Sequence, residues 1–246
     1  MFAIQDKVVI IMGASSGIGE ATAQKLAEMG AKLVVAARRE DRLKTLVESL
    51  PNADISYAVA DVIDKDQAQA VVDLALEKYG RVDVLFNNAG VMPQAPLAEK
   101  RYEEWQQTID INVMGVLNGI AAVLPIMKQQ QSGHIITTSS EAGHMVFPGG
   151  AVYCGTKTAV IAIMEGLRQE ERENNIRSTV ISPGTVDTEL HNTINDPERR
   201  KWTEDLQHKI GLKSSDVADA VIYAIGTPET VTVSEIVLLP TKKGFE

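Results

Sequence analysis

The sequence predicts an α/β protein in which a doubly wound parallel sheet of about seven strands lies between two layers of helices, a three-layer αβα arrangement. Short apolar runs rich in β-branched residues alternate with helical stretches along all 246 residues. The runs lack polar alternation, as is typical of strands buried on both faces. Since neither a repeat nor a low-complexity linker interrupts the order, we expect one domain spanning residues 1–246.

Composition and charge narrow the function classes. A hydrophobic content of 44% and a charged content of 23% are ordinary for a soluble globular protein. The net charge of -9 argues against a nucleic-acid surface or binding to anionic lipid. The one cysteine, Cys154, cannot form an internal disulfide, which suits a reducing compartment. With no 18-residue apolar run and no signal peptide recognised, we expect a cytoplasmic protein without a membrane partner.

A glycine-rich loop follows the first predicted strand, residues 7–12 (KVVIIM), and a helix over residues 20–29 follows the loop. In that context glycines allow close backbone approach, and the free N–H groups of the helix can bind a pyrophosphate, as in Rossmann-type folds. A plain glycine-rich turn is the alternative. The predicted cofactor-binding residues of this loop are Gly13, Ser15, Ser16, Gly17, Ile18 and Gly19.

Two arginines, Arg38 and Arg39, end the second predicted strand, residues 32–37. In a dinucleotide-binding fold this position meets the adenine ribose, where an acidic residue selects the 2′-OH of NAD and an arginine accommodates the 2′-phosphate of NADP. We therefore expect NADP(H), with Arg38 as the stronger candidate and Arg39 stacked on adenine or facing water. The alternative is a solvated charged turn before the helix that begins at Glu40.

The third and fourth strands end in further candidates. Residues 55–60 are followed by Asp61 and Val62, and Asp61 could accept a hydrogen bond from the adenine amino group or cap the helix over residues 64–79. Residues 82–86 lead into two asparagines and a short loop. Because the carboxyl ends of parallel strands share one edge, we expect this loop in the cofactor crevice. Its predicted binding residues are Asn88, Ala89 and Gly90.

The second half of the chain supplies an acid/base pair. A long helix is expected over residues 102–130, with Asn112 as an unusual polar residue in its middle, and a strand over residues 134–138 ends before Ser140. Tyr153 and Lys157 lie four residues apart and share one face of the next helix. A nearby cation favours the phenolate, so we expect the pKa of Tyr153 to fall toward the working pH. An exposed helix turn is the alternative.

The last third of the chain continues the alternation of strands and helices, except for one inserted segment, residues 189–213. A strand over residues 177–181 leads into residues 182–188, and residues 214–225 form a helix with Ser214, Ser215 and Asp216 as its cap before a strand over residues 235–239. Residues 189–213 lack a strong core pattern. We interpret them as a partly helical lid over the site.

These motifs, taken in order, resemble the short-chain dehydrogenase/reductase family over essentially the whole chain. The step of thirteen residues from Ser140 to Tyr153 also matches the family spacing. Met12 departs from the pattern, because the family usually has a threonine there that ties the glycine loop to the asparagine segment. The matching residues are those from 13 to 19, Asp61, those from 87 to 90, Asn112, Ser140, Tyr153, Lys157, Pro183, Gly184 and Thr188.

The resemblance implies a reaction and a role for each catalytic residue. Hydride would pass between nicotinamide and a carbonyl or alcohol, with Tyr153 as the general acid or base. Lys157 would lower the pKa of Tyr153 and hold the nicotinamide ribose, and Ser140 would hydrogen-bond the substrate oxygen. Asn112 would bind a water that links Lys157 to solvent. The resemblance gives no role to Glu141, and no metal site is expected.

The resemblance also implies further site residues and an assembly. The cofactor set extends to Pro183, Gly184, Val186 and Thr188, and we expect a mostly apolar wall for a ketone, aldehyde or hydroxy compound. A bacterial carbonyl-reductase or 3-hydroxy-acid-dehydrogenase branch fits, as does a homotetramer or homodimer. Alternatives are a non-catalytic NADP-binding redox sensor and a sugar-nucleotide epimerase. The candidate wall residues are Val91, Met92, His144, Met145, Phe147, Leu190 and Trp202.

Overall fold

A parallel sheet of seven strands forms the centre of the computed structural model, which describes residues 4–244. Its strand order is β3-β2-β1-β4-β5-β6-β7, as in Rossmann-like folds, so the predicted fold class is confirmed. The strands are β1 (Val8–Met12), β2 (Lys32–Ala37), β3 (Ile55–Val59), β4 (Val84–Asn87), β5 (Gly133–Thr138), β6 (Ile176–Pro183) and β7 (Glu235–Leu238).

Helices cover both faces of the sheet. Apolar side chains from α3, α5 and α6 pack on one face, and those from α1, α2 and α8 pack on the other. Both faces of the sheet are therefore buried, which explains why the strands are continuous apolar runs and do not alternate apolar with polar residues. The helices are α1 (Gly17–Glu28), α2 (Glu40–Glu48), α3 (Lys65–Tyr79), α4 (Tyr102–Ile109), α5 (Gly115–Gln130), α6 (Ala151–Glu170), α7 (Pro197–Ile210) and α8 (Ser214–Gly226).

The strand order changes direction at β1, which pairs with β2 on one side and with β4 on the other. Met12 at the end of β1 lies in register with both Ala36 and Asn87. The loops that leave β1 and β4 are therefore neighbours at the carboxyl edge of the sheet. Such a switch in strand order opens a crevice between the two loops, where ligands of this fold class bind.

The long helix expected over residues 102–130 contains a π-helical turn, Asp110–Met114, between α4 and α5. By length and mean hydropathy, 1.7, this stretch could cross a membrane. Its face with Val116, Ile120 and Val123 instead packs in the core with α3 and the sheet, so it is a core helix of the αβα layers.

Two helix caps differ from expectation. Asp64, not Asp61, caps α3, because its carboxylate accepts hydrogen bonds from the backbone N–H groups of Asp66 and Gln67. At α8 the N-cap residue is Lys213, whose backbone N–H donates to Asp216 at 2.8 Å. The predicted role of Asp216 is thus confirmed, whereas Ser214 and Ser215 lie inside the helix.

The segment over residues 189–213 is more regular than its sequence indicated. It holds a 3-10 helix, Glu189–Thr193, and α7, whose cap Asp196 accepts a hydrogen bond from the Arg199 backbone N–H. The helix is polar and carries few core side chains, so its apolar periodicity is weak. A backbone bridge between Val186 and Leu212 closes the base of the segment.

Candidate active site

A cavity of about 1590 Å³ lies at the carboxyl edge of the sheet, between the β1 and β4 loops and the segment over residues 189–213. It brings together nearly all of the predicted site residues. Three predicted residues do not line it, namely Gly19, Asn112 and His144. The predicted residues that line it are Gly13, Ser15, Ser16, Gly17, Ile18, Arg38, Arg39, Asp61, Val62, Asn88, Ala89, Gly90, Val91, Met92, Ser140, Met145, Phe147, Tyr153, Lys157, Pro183, Gly184, Val186, Thr188, Leu190 and Trp202.

The glycine loop after β1 has the shape of an anion cradle. Gly13 and Gly17 have φ angles of 90° and 59°, a region that favours glycine. A Cβ atom on Gly13 would lie 2.6 Å from the backbone nitrogen of Ala89, so a side chain would not fit. Within the described chain, Ser16 makes no side-chain capping bond to α1. The first N–H groups of α1 are therefore left to bind a ligand anion.

Asn88 holds the glycine loop against the β4 loop. Its side-chain Nδ2 donates to the Gly13 carbonyl at 2.9 Å, and its Oδ1 accepts from the Thr138 hydroxyl at 2.9 Å. The backbone N–H of Asn88 also donates to the carbonyl of Met12. A threonine at position 12 is therefore not needed for this connection. Gly19 supports the same contact, since a Cβ on it would lie 2.2 Å from the Gly13 carbonyl oxygen.

Arg38 lies on the cavity rim just after β2. Its side chain is 61% exposed and pairs with Asp61 at 3.8 Å. Asp61 in turn accepts a hydrogen bond from the Ile63 backbone N–H at 3.3 Å. A guanidinium that is this exposed is free to bind a ligand anion at the rim.

The side chain of Arg39 is partly exposed to water, and its guanidinium is also held by protein atoms. Its guanidinium crosses the glycine loop and donates to the hydroxyls of Ser15 and Ser16, with a shortest distance of 2.7 Å to Ser16. It also donates to the carboxylate of Glu189 at 2.8 Å. No sequence pattern predicts this contact, because Glu189 lies 150 positions along the chain.

Ser140 and Tyr153 meet at the inner end of the cavity. Both side chains are buried, and the Ser140 hydroxyl lies close enough to the Tyr153 phenol to act on its pKa. The Ser140 Oγ also accepts from the Ala142 backbone N–H at 3.1 Å and lies 3.4 Å from the Pro183 carbonyl. These bonds fix the hydroxyl beside the phenol. The pair offers two O–H groups to one substrate oxygen.

Lys157 lies next to this pair, with its Nζ 5.8 Å from the centroid of the Tyr153 ring. The ammonium donates to the Thr138 carbonyl oxygen at 2.9 Å. Burial raises the pKa of Tyr153 to about 12 and lowers the pKa of Lys157 to about 8. The expected fall in the pKa of Tyr153 was wrong for this cavity, because desolvation of the phenolate outweighs the lowering effect of Ser140.

Asn112 lies in the π-helical turn, behind the cavity rather than in its wall. Its side chain accepts from the Val91 backbone N–H and donates to the Val91 carbonyl, each at 2.9 Å, and it also donates to the Thr156 hydroxyl. Gly90 separates Asn112 from Lys157, since a Cβ on Gly90 would lie 3.4 Å from Asn112 Oδ1 and 3.7 Å from Lys157 Nζ. Asn112 thus fixes the loop beside Lys157.

His144 was wrongly expected in the substrate wall. The 3-10 turn Glu141–Gly143 carries it away from the cavity, where its Nε2 lies 2.6 Å from the Glu235 carboxylate. Glu141 instead lines the cavity and forms an ion pair with Lys243 from the end of the described chain. No sequence pattern predicts this ion pair.

The segment over residues 189–213 forms one side of the cavity through Leu190, Thr193 and Trp202. The Thr193 hydroxyl accepts a hydrogen bond from the Met92 backbone N–H at 2.8 Å, which joins the segment to the β4 loop. Trp202 lines the cavity with 62% of its surface exposed. The segment therefore presents to the cavity a large apolar side chain, Trp202, that is not buried in the hydrophobic core.

Comparisons with known proteins agree with this geometry. Residues 7–199 match the family model of short chain dehydrogenases. The chain is 50% identical over 244 residues to an uncharacterized oxidoreductase of Staphylococcus saprophyticus, covering 98% of this chain and 99% of the relative.

Solved structures of the same family share the fold closely. A short chain dehydrogenase/reductase from Burkholderia phymatum in complex with NAD is 31% identical with a TM-score of 0.88, covering 96% of this chain and 90% of that one. An alcohol dehydrogenase from Thermococcus sibiricus complexed with 5-hydroxy-NADP is 30% identical with a TM-score of 0.87, covering 98% of this chain and 100% of that one. The chain belongs to the short-chain dehydrogenase family and is an oxidoreductase.

Proposed function

We propose that this protein is an NADP(H)-dependent oxidoreductase that transfers a hydride between nicotinamide and a carbonyl or alcohol substrate, with reduction of a ketone or aldehyde as one direction. One observation carries the proposal. The Ser140 hydroxyl and the Tyr153 phenol lie side by side and buried at the inner end of the cavity that the glycine loop opens. Two such donors beside a dinucleotide cradle suit a carbonyl oxygen that gains negative charge.

The residues of the cradle fit a dinucleotide. The uncapped start of α1 and the close approach of Gly13 to Ala89 suit a pyrophosphate. Asp61 and Val62, which follow β3, would contact adenine, and Pro183, Gly184, Val186 and Thr188 line the same cavity. The two solved relatives hold NAD in one case and a NADP derivative in the other. The preference for NADP(H) therefore rests on Arg38 and Arg39.

Each catalytic side chain has a role that its surroundings support. When bound, the nicotinamide supplies or accepts the hydride. Tyr153 donates its proton to the oxygen of the carbonyl being reduced, which a phenol with a pKa of about 12 can do at neutral pH because it is protonated there. Ser140 donates a hydrogen bond to the same oxygen. Lys157 would bind the ribose hydroxyls, and Asn112 holds the adjoining loop through Val91.

The substrate wall favours a compound of modest polarity. Among the predicted wall residues, Met92, Met145, Phe147, Leu190 and Trp202 line the cavity with apolar side chains. Apolar lining with a few placed polar groups is usual for small-molecule sites. We therefore propose a ketone, aldehyde or hydroxy compound with an apolar body.

A screen for turnover tests this function. Consumption of NADPH is measured over aldehydes, ketones, diketones and 3-oxo acids, with chiral analysis of each product and Tyr153→Phe as the control for contaminating activity. Turnover that the control loses supports the proposal. Binding of NADP⁺ without turnover of any carbonyl, or of the corresponding alcohols in reverse, would favour a redox sensor instead.

We further propose that residues 1–246 form one domain with a lid at residues 189–213, and that the protein is a cytoplasmic homotetramer or homodimer. The apolar helices that carry Asn112 and Tyr153 support an assembly, since Met114 on the first is 44% exposed. Light scattering coupled to size exclusion measures the assembly, and a monomer at micromolar concentration would contradict it.

A further inference from the structure

A cluster of charges joins the start of the lid to the end of β2. Glu189, the first residue after Thr188, binds Arg39 through Oε2 at 2.8 Å and Arg42 through Oε1 at 3.3 Å. We name these three residues the Glu189 clasp. The carboxylate is thus shared between two cations, Arg39 just after β2 and Arg42 in α2. Hydrogen bonding to Arg39 is the main reason that the pKa of Glu189 is lowered, so the carboxylate is charged at neutral pH.

Protein atoms, Glu189 among them, engage most of the hydrogen-bonding capacity of Arg39. A guanidinium has five N–H groups, and Arg39 makes four hydrogen bonds to protein atoms, two of them to the Ser15 hydroxyl. The others go to Ser16 and Glu189. A phosphate that binds Arg39 must therefore take the place of bonds that already exist. Arg38, by contrast, is 61% exposed and pairs with Asp61 at 3.8 Å.

We propose that Glu189 is a specificity-determining residue that competes with the 2′-phosphate of the cofactor for Arg39 and so weakens the binding of NADP(H). This inference rests on the proposed function. Both effects of the carboxylate act in the same direction. It holds the guanidinium by a charge-assisted hydrogen bond, and it repels a phosphate placed near the same cation. NAD(H) carries a neutral 2′-hydroxyl, so the competition leaves its affinity nearly unchanged.

The clasp is partly exposed, which limits the size of the effect. The side chain of Arg39 is 45% exposed and that of Glu189 is 40% exposed. Solvent-exposed ion pairs are weak, so loss of the Glu189–Arg39 pair has a small effect by itself. Removing the repulsion between Glu189 and a doubly charged phosphate adds to that effect. We expect the change Glu189→Gln to tighten NADP⁺ binding by about 3-fold to 10-fold.

Isothermal titration of the purified protein with NADP⁺ and with NAD⁺ tests this without turnover. Glutamine keeps the shape of Glu189 and removes its charge. The expected result is the stronger binding of NADP⁺ given above and a change of less than about twofold for NAD⁺. Glu204→Gln is the matched control, since Glu204 is also a lid carboxylate but pairs with Lys201. An unchanged or weaker affinity of Glu189→Gln for NADP⁺ overturns the inference.

A second variant shows whether Glu189 acts through Arg39. In an Arg39→Ala background, Glu189→Gln should tighten NADP⁺ binding by less than it does in the wild type, because only the direct repulsion of the phosphate remains to be removed. An undiminished effect in that background overturns the competition. The proposed function fails separately: a wild-type protein that binds NAD⁺ more tightly than NADP⁺ contradicts the cofactor preference, whatever Glu189→Gln does.

Discussion

The ammonium nitrogen of Lys157 lies 5.8 Å from the centroid of the Tyr153 ring, yet the phenol is not ionised by it. Both side chains are 5% exposed, so burial penalises the charged form of each. The pKa of Tyr153 rises to about 12 and that of Lys157 falls to about 8. The hydrogen bond from Ser140 acts in the opposite direction on Tyr153 but is the smaller effect. The cavity therefore holds a protonated donor at neutral pH.

The buried lysine should make stability depend on pH. The pKa of Lys157 is about 8 in the folded protein against an ordinary 10.5, so between these values the unfolded chain binds more protons and the free energy of unfolding rises with pH. Lys157→Met removes this titration. Between pH 7 and 9.5 the wild type should therefore gain about 2 kcal/mol relative to the variant.

Urea unfolding at several pH values measures that difference. Tyr153 contributes with the opposite sign, because its raised pKa favours the folded state below pH 10 and that contribution is lost as pH rises toward 12. The comparison is therefore kept below pH 10. A difference between the two proteins that stays flat with pH would show that Lys157 titrates normally.

Tyr153→Phe should abolish turnover while NADP⁺ binding survives, because the change removes one hydroxyl from a buried ring. Loss of one acid/base group lowers the rate by about 10²-fold to 10⁴-fold. Steady-state kinetics and titration with NADP⁺ measure the two effects separately. Tyr102→Phe is the control, since its side chain is 63% exposed. A Tyr153→Phe enzyme with a near-normal rate would mean that another group donates the proton.

Ser140→Ala should lower kcat/KM by about 10²-fold, the usual effect of losing one donor to a developing oxyanion. Ser139→Ala is the neighbouring control, because its hydroxyl donates to the Lys157 backbone carbonyl at 2.9 Å rather than to the substrate oxygen. That variant should lose stability with little change in rate. Thermal melts and kinetics are run on both. Equal losses of rate in the two variants would argue against polarisation of the substrate by Ser140.

The features that follow from local pattern were predictable. The strands follow from short apolar runs, and the glycine loop follows from glycines next to a helix start. Residues 7–30 show one example of each pattern. The shared cavity followed too, since parallel strands end at one edge. Strand bounds differ by up to two residues. The π-helical turn, Asp110–Met114, was not predicted because the apolar pattern runs through it.

Contacts between distant side chains were not predictable in the same way. Arg39 meets Glu189, and His144 meets Glu235, through the packing of loops that the sequence places far apart. The pKa of Tyr153 was wrongly expected to fall, because spacing on a helix reveals the cation but not the burial. Such features depend on how completely a side chain is desolvated, which the one-dimensional pattern does not contain.

The lid should respond to ligand. Leu190 and Trp202 line the cavity, and Trp202 is 62% exposed. A bound substrate can therefore bury apolar surface that is exposed in the free protein. Amide hydrogen exchange of residues 189–213 should therefore slow when NADP⁺ and substrate are both bound. The segment around Ile194, which is fully buried, should change least. Equal protection with and without ligand would identify the segment as fixed structure.

The last prediction concerns the cofactor. No Asp or Glu occupies positions 36–39, and Arg38 is exposed at the rim where the 2′-phosphate should lie. A charge-assisted hydrogen bond contributes about 1.5–3 kcal/mol, and a tenfold preference needs about 1.4 kcal/mol. We therefore expect the wild type to prefer NADPH over NADH by at least about tenfold in kcat/KM, although salt will reduce this.

Arg38→Asp should reverse much of that preference. The change removes a partner of the phosphate and adds a repulsion, so NADPH use should fall far more than NADH use. The released Asp61 carboxylate, which pairs with Arg38 in the wild type, adds to the repulsion. Arg172→Asp is the control for net charge, since Arg172 is 71% exposed on the surface. Steady-state kinetics with both cofactors decides the question: a wild type that favours NADH would show that neither arginine binds the 2′-phosphate.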